Sequence, residues 1–254
     1  MTAPRLRSRP TRRALLGAAG AVLAAPRLAR AGADLVTLAA ASLKPALDAV
    51  LDRWDGSVRV SYLGSGAAAR QVAAGAPVDL VILAAVDWMD WLAGQGVLAG
   101  PPVPVAGNRL ILVGPPGSPP LALDRAAVLD RLGDGRFAIG DPMSVPAGRY
   151  GQQALETLGL WDAIRPRAVL TENVRAALAH VVRGDLAMGV VYGSDAEGSA
   201  VATLATFPPA SHAPITYPAA IPVGAGPDAA ALRTHIVGAS DIFAAKGFAP
   251  APIA

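Results

Sequence analysis

Cysteine is absent from all 254 residues, which excludes disulfide staples, iron–sulfur clusters and thiol chemistry. With no cysteine there is no lipobox, and hence no lipid anchor. Histidine is almost as scarce: His180, His212 and His235 lie scattered, without the spacing that a zinc or copper centre needs. The apolar stretch Ala14–Ala25 falls short of the ~20 residues that span a bilayer. Clustered positive charge is missing beyond the first 33 residues. Seven of the 22 basic residues and none of the 19 acidic ones fall in that segment, so 15 basic residues face 19 acidic ones afterwards, a net of −4. That balance leaves no footprint for nucleic acid, and none is expected as a partner.

What the chain does have begins with an export signature. Arg5, Arg7, Arg9, Arg12, Arg13, Arg27 and Arg30 make the leader basic, and Thr11-Arg12-Arg13-Ala14-Leu15-Leu16 opens its apolar stretch. Ala-x-Ala patterns follow at Ala29–Ala31 and Ala31–Ala33. A basic start, a short apolar segment and a small-residue cleavage site predict a signal peptide over 1–33. The paired arginines point to the twin-arginine route and a periplasmic destination. A retained membrane anchor is the rival, and Pro26 with Arg27, which interrupt the apolar run, disfavours it.

Beyond the leader, β-branched apolar runs repeatedly end in small-residue turns that open into helical patterns. Strands are expected at Leu35–Ala40, Val58–Leu63, Leu80–Ala84 and Arg109–Val113, with helices at about Leu43–Trp54 and Ala67–Ala74. Gly114-Pro115-Pro116-Gly117-Ser118-Pro119-Pro120 then reads as a lobe boundary or hinge. The pattern restarts with Phe137–Ile139, Ala168–Leu170 and Met188–Tyr192, and a single terminal helix is expected over Asp228–Lys246. The expected fold is α/β: two lobes, each a mainly parallel sheet flanked by helices, with the ligand in the cleft between them. The expected division is 34–115 for the first part of lobe I, 116–212 for lobe II and 213–254 for a return segment of lobe I.

Two junctions carry serine: Leu35–Ala41 runs into Ser42, and Val58–Leu63 into Ser65. Read as helix N-caps, they would sit beside unpaired backbone N–H groups and the positive ends of helix dipoles, a ready anion site without a cationic side chain. A plain cap contributing ~1 kcal/mol is the simpler reading of either one alone. Two of them, with the Pro146-Ala147-Gly148 turn and Tyr192 after a strand, favour a site. Arg70, Arg149 and Arg175 read more simply as solvated helix-face residues. Catalytic rivals are poor. Gly64-Ser65-Gly66 with Ala69 fits a loose dinucleotide fingerprint, but Asp79 stands at the start of the next strand rather than its end. A hydrolase elbow would need glycine where Leu63 and Ala67 stand, and no histidine is placed as a base for either serine.

Five blocks then carry a family pattern. They are Ala39-Ala40-Ala41-Ser42-Leu43, Ala69-Arg70-Gln71 with Gly75-Ala76-Pro77-Val78-Asp79-Leu80, and Asp141-Pro142 with Val145-Pro146-Ala147-Gly148. Glu172-Asn173-Val174-Arg175-Ala176-Ala177-Leu178 and Val191-Tyr192-Gly193-Ser194-Asp195-Ala196 complete the set. In this order, from about Leu35 to Phe248, they resemble the molybdate-binding periplasmic proteins of ABC uptake transporters. The chain departs from that pattern at Gly64-Ser65-Gly66, where a serine run is common, and at Leu83-Ala84-Ala85, where Ser-Ala-Asp is common.

The resemblance implies a type II periplasmic-binding-protein fold that closes on molybdate or tungstate. It implies no cofactor, no enzymatic activity, a membrane permease as partner and a monomer. Ser42 and Ser65 would donate hydroxyl and backbone N–H bonds, Ala147 and Val174 backbone N–H bonds, and Tyr192 its phenol. All five would hold molybdenum only through the oxygens of its oxyanion. A sulfate- or phosphate-type receptor is the nearer alternative and a secreted serine hydrolase the remoter one. Replacing Ser65 with alanine is expected to weaken binding at least tenfold with little change in melting temperature.

Overall fold

The computed structural model describes residues 34–251. The leader and its twin-arginine and cleavage expectations lie outside these residues. The first half runs β1 (Leu35–Ala40), α1 (Lys44–Leu51), β2 (Val58–Leu63), α2 (Ser65–Ala73), β3 (Leu80–Ile82), α3 (Val86–Gly94), β4 (Val103–Gly107) and β5 (Leu110–Gly114). Next come α4 (Arg125–Leu132), β6 (Phe137–Gly140), α5 (Pro146–Thr157), α6 (Trp161–Ile164), β7 (Ala168–Thr171), α7 (Val174–Val182) and β8 (Met188–Tyr192). The chain ends with α8 (Gly193–Ala196), β9 (Ala202–Thr206), β10 (Thr216–Ala220), α9 (Ala229–Gly238) and α10 (Ser240–Ala245).

Two five-stranded sheets result, ordered β2-β1-β3-β10-β4 and β7-β6-β8-β5-β9. In each, four strands point the same way and one is reversed: β10 in the first, β5 in the second. Both reversed strands are the ones the chain enters on crossing from the other sheet. The lobes are therefore mainly parallel, and helices cover their apolar faces. Strands β3, β5, β6 and β8 are buried throughout, whereas the edge strand β2 alternates between half-buried and exposed. That contrast follows from position, because interior strands of such sheets are covered on both faces.

The crossings correct the expected boundary. β5 pairs with β8 and β9, so the chain passes into the second sheet at Asn108–Arg109, not at Gly114–Pro120. The Pro/Gly cluster instead follows β5 as a surface turn, with Gly117 in the left-handed region at φ 76°. Proline punctuates any loop, and here it marks a strand end rather than a lobe end. The return crossing lies between Thr206 and Thr216. The expected terminal helix is likewise two, α9 and α10, broken at Ala239, whose backbone leaves the helical range (φ −91°, ψ 35°).

The lobes touch across the cleft. Gly66 N–H donates to the Ser144 carbonyl at 3.0 Å, and the Arg149 guanidinium meets the Asp87 carboxylate at 2.5 Å. Arg149 and Arg70 each pack over the Trp88 ring, at 5.8 and 5.6 Å from its centroid. Arg149 is thus a bridging residue rather than a solvated one. Gly66 has to be glycine here: a Cβ would stand 2.7 Å from the Ser144 carbonyl oxygen and 2.7 Å from the Trp88 ring.

Candidate functional site

Strand carboxyl ends from both sheets converge on one cavity of about 210 Å³ of atom-free space. It is lined by Ala40, Ala41 and Ser42 after β1, Leu63, Gly64 and Ser65 after β2, and Ala84 after β3. From the other lobe come Val145, Pro146 and Ala147 at the start of α5, Asn173 and Val174 at the start of α7, and Tyr192 ending β8. All five residues predicted from the sequence (Ser42, Ser65, Ala147, Val174 and Tyr192) therefore meet at one place. The lining contains no charged side chain. Among the described residues no group of His, Asp or Glu could hold a metal ion.

Each helix start presents backbone donors for a local reason. In α5 the first residue is Pro146, preset for the first helical turn, so the Ala147 N–H is the first available donor. The approach to β6 is close: a Cβ at Gly148 would lie 1.9 Å from the Gly140 carbonyl oxygen. In α7, Asn173 caps the helix by accepting from Ala176 N–H at 2.9 Å, which leaves the Val174 N–H without an intrahelical partner. In α2, Ser65 is the first helical residue and Gly64 the cap. A Cβ at Gly64 would meet the Glu172 carbonyl oxygen at 2.5 Å, so only glycine brings this turn against the other lobe.

The expected capping role of the serines is corrected. Neither makes a side-chain cap. Ser65 Oγ accepts from the Ala84 N–H at 2.9 Å, and Ser42 Oγ lies 3.0 Å from the Tyr217 hydroxyl. The tie to Ala84 occupies an acceptor position on Ser65 Oγ and leaves its proton free to point inward. Both serines are buried.

Tyr192 is buried, and its hydroxyl has no hydrogen-bond partner. A buried unpaired hydroxyl is costly unless something else satisfies it. Burial, reinforced by Tyr217, pushes its phenol well above the usual value of 10, so it keeps its proton at physiological pH. Behind it, the buried Asp195 accepts from the Tyr192 backbone N–H at 3.1 Å, while Arg175 approaches its other oxygen at 3.9 Å. Burial outweighs both partners and raises the Asp195 carboxyl to about 7. A half-exposed arginine at that distance cannot hold a desolvated carboxylate fully charged. Asp79 has no part in the site. At the opposite end of its strand it accepts from Val36 and Gly226 N–H groups, both at 2.8 Å.

Sequence reasoning missed Tyr217 and Asn108, and marked Ala84 only within the Leu83-Ala84-Ala85 departure from the family pattern. Tyr217 was hidden in a proline-rich stretch, between Thr216 and Pro218, where no period marks a buried strand. Asn108 makes an Asx-type contact with its own neighbour, and only the lobe crossing gives that contact a wider meaning.

With this geometry in view, the likenesses are informative. The family described as bacterial extracellular solute-binding protein matches residues 35–249. The molybdate-binding protein ModA of Escherichia coli is 37% identical over 222 residues, covering 81% of this chain and 85% of the relative. ModA of Haemophilus influenzae is 36% identical over 203 residues, covering 76% and 80%. Among solved structures, the periplasmic molybdate-binding protein of Azotobacter vinelandii superposes with a TM-score of 0.73 at 24% identity, covering 86% of this chain and all of its own. The substrate-binding domain of a putative molybdenum ABC transporter from Clostridium difficile gives 0.63 at 26% identity, covering 86% and 99%.

Proposed function

The chain belongs to the bacterial extracellular solute-binding protein family, and on that premise we propose that it is the substrate-binding component of a molybdate ABC uptake transporter. Such proteins capture and release a solute without transforming it. The observation that carries the ligand class is the cavity itself: lined mostly by buried residues, free of charged side chains, and bordered by hydroxyls and helix-start N–H groups from both lobes.

In this reading Ser42, Ser65 and Tyr192 donate hydroxyl bonds, and Ser42, Ser65, Ala147 and Val174 donate backbone N–H bonds. Hydrogen bonds to a charged group are worth about 1.5–3 kcal/mol each. About seven of them offset the desolvation of a dianion with no buried cation to desolvate as well. The lining has no carboxylate or imidazole to accept a proton, so a fully deprotonated tetrahedral oxyanion is preferred over protonated phosphate. Because the donors come from both lobes, they converge only when the lobes are closed, and ligand favours that form by this difference alone. The protein works in the periplasm, reaches it by the twin-arginine route, acts as a monomer and hands its cargo to a membrane permease.

Isothermal titration of residues 34–254 with molybdate, tungstate, sulfate and phosphate at neutral pH tests the reading. One-to-one binding of molybdate and tungstate, with the other two silent, is the expected outcome. Binding of sulfate or phosphate in their place would overturn the ligand, and silence with all four would overturn the receptor.

A further inference from the structure

We infer that Asn108 and Tyr217 are positioning residues that hold the Ser42 hydroxyl proton toward the cavity, so that Ser42 acts there as a donor. The inference rests on the molybdate reading above and extends it to residues that do not line the cavity.

Two backbone donors fix which way the Asn108 amide faces. Its Oδ1 accepts from the Arg109 N–H at 2.9 Å and from the Ser194 N–H at 3.4 Å. The amide NH₂ must therefore point the other way, where its two protons meet two oxygens: Ser194 Oγ at 2.8 Å and Tyr217 Oη at 3.2 Å. Tyr217 Oη thus receives a proton from a group that can only donate. Its own proton goes to the other oxygen beside it, Ser42 Oγ at 3.0 Å. Ser42 has then accepted, and its single proton is left for the cavity that it lines. Tyr217 is suited to the task because burial holds its phenol well above the ordinary range, so that it stays a donor. Its ring is clamped between Tyr192 and Phe248, with centroids 6.0 and 5.4 Å away.

The same rule, reached by another route, holds at Ser65, whose acceptor side is taken by the Ala84 N–H. The relay at Ser42 differs in where it starts. Asn108 is the crossing between the sheets, and its partners Ser194 and Tyr217 belong to opposite lobes. The direction of the proton on Ser42 is therefore set by a residue that touches both lobes at their junction.

The test is selectivity. Tyr217→Phe keeps the ring contacts and removes the relay. Ser42 can then turn to accept, so a monoprotonated oxyanion loses its disadvantage. Competition titrations at pH 8, where inorganic phosphate is mostly a monoprotonated dianion, compare it with molybdate, which carries no proton. Molybdate affinity should fall ~10-fold, the scale of one oriented charge-assisted bond, while phosphate affinity holds or rises. Asn108→Asp, of the same size, replaces the donor with an acceptor and should lower the same ratio. In the Tyr217→Phe background it should leave the ratio unchanged, because the relay is already cut. Loss of both anions by an equal factor would mean a packing defect and overturn the inference, as would a molybdate affinity within twofold of the parent. A parent protein that fails to bind molybdate would instead overturn the functional reading beneath it.

Discussion

Ser65 is the residue where binding and stability are most directly entangled. The sequence suggested that Ser65→Ala would cost affinity and little else, but the structure requires both to change. Ser65 Oγ is the acceptor for the Ala84 N–H, in a buried turn at the end of β3. Removing it strands that donor, at a cost of about 1–3 kcal/mol for a buried group without a partner. In a chain of this size each kcal/mol shifts the melting temperature by roughly 2–4 °C, so the ligand-free variant should melt roughly 2–12 °C lower. Binding loses one hydroxyl bond to a charged ligand, about 1.5–3 kcal/mol, or roughly 10- to 150-fold in the dissociation constant. Titration calorimetry with molybdate and thermal melts of the ligand-free protein read the two effects separately. An affinity within threefold of the parent would remove Ser65 from the site. Lost affinity with an unmoved melting temperature would mean that the Ala84 N–H finds another partner, and the stability half of the reasoning would fail.

Gly66→Ala should act on closure. Its Cβ would meet the Ser144 carbonyl, which approaches only across the cleft, and Trp88 of its own lobe, so affinity should fall at least ~10-fold. Small-angle scattering with saturating molybdate should then show a larger radius of gyration than the parent, and an equal radius would refute the steric account. Asp195 gives a pH signature. Burial raises its carboxyl to about 7 from 3.8, so the folded state keeps a proton that the unfolded chain releases. That stabilisation is full below pH ~4 and lost as pH rises through ~7. The stability difference between parent and Asp195→Asn should therefore shift in favour of the variant between pH 5 and 8, as followed by urea unfolding. A difference that stays flat with pH would contradict it.

Much of the architecture was legible because parallel α/β units announce themselves: buried strands read as continuous apolar runs, and small residues mark where each opens into a helix. β1, β2 and β8 fall on their expected spans. β4 and β9 were missed: Pro104 interrupts β4, and β9 is an edge strand with a single buried residue. The site was legible where a chemical type is needed, as at Ser42, Ser65 and Tyr192. Ala147 and Val174 carry no such mark, since a backbone N–H can be supplied by any residue except proline. They were proposed mainly through the family pattern, although both lie at expected helix starts. The lobe boundary was misread because proline and glycine report local turns, whereas a crossing between sheets is a matter of which strand pairs with which.

That crossing also bears on how the chain is assembled. Gly107 at the end of β4 and Thr216 at the start of β10 are direct antiparallel partners. The whole of the second lobe, 108–215, thus hangs from what would otherwise be the tip of a hairpin. It is a continuous stretch whose strands pair only with one another, and it can complete its sheet as soon as β9 has emerged. The first lobe cannot: β10 lies between β3 and β4, so that sheet stays open until the last fifth of the chain is made. Folding should therefore proceed from the middle outward. A two-residue turn joining Gly107 to Thr216 would give the first lobe as an uninterrupted domain carrying half of the cradle.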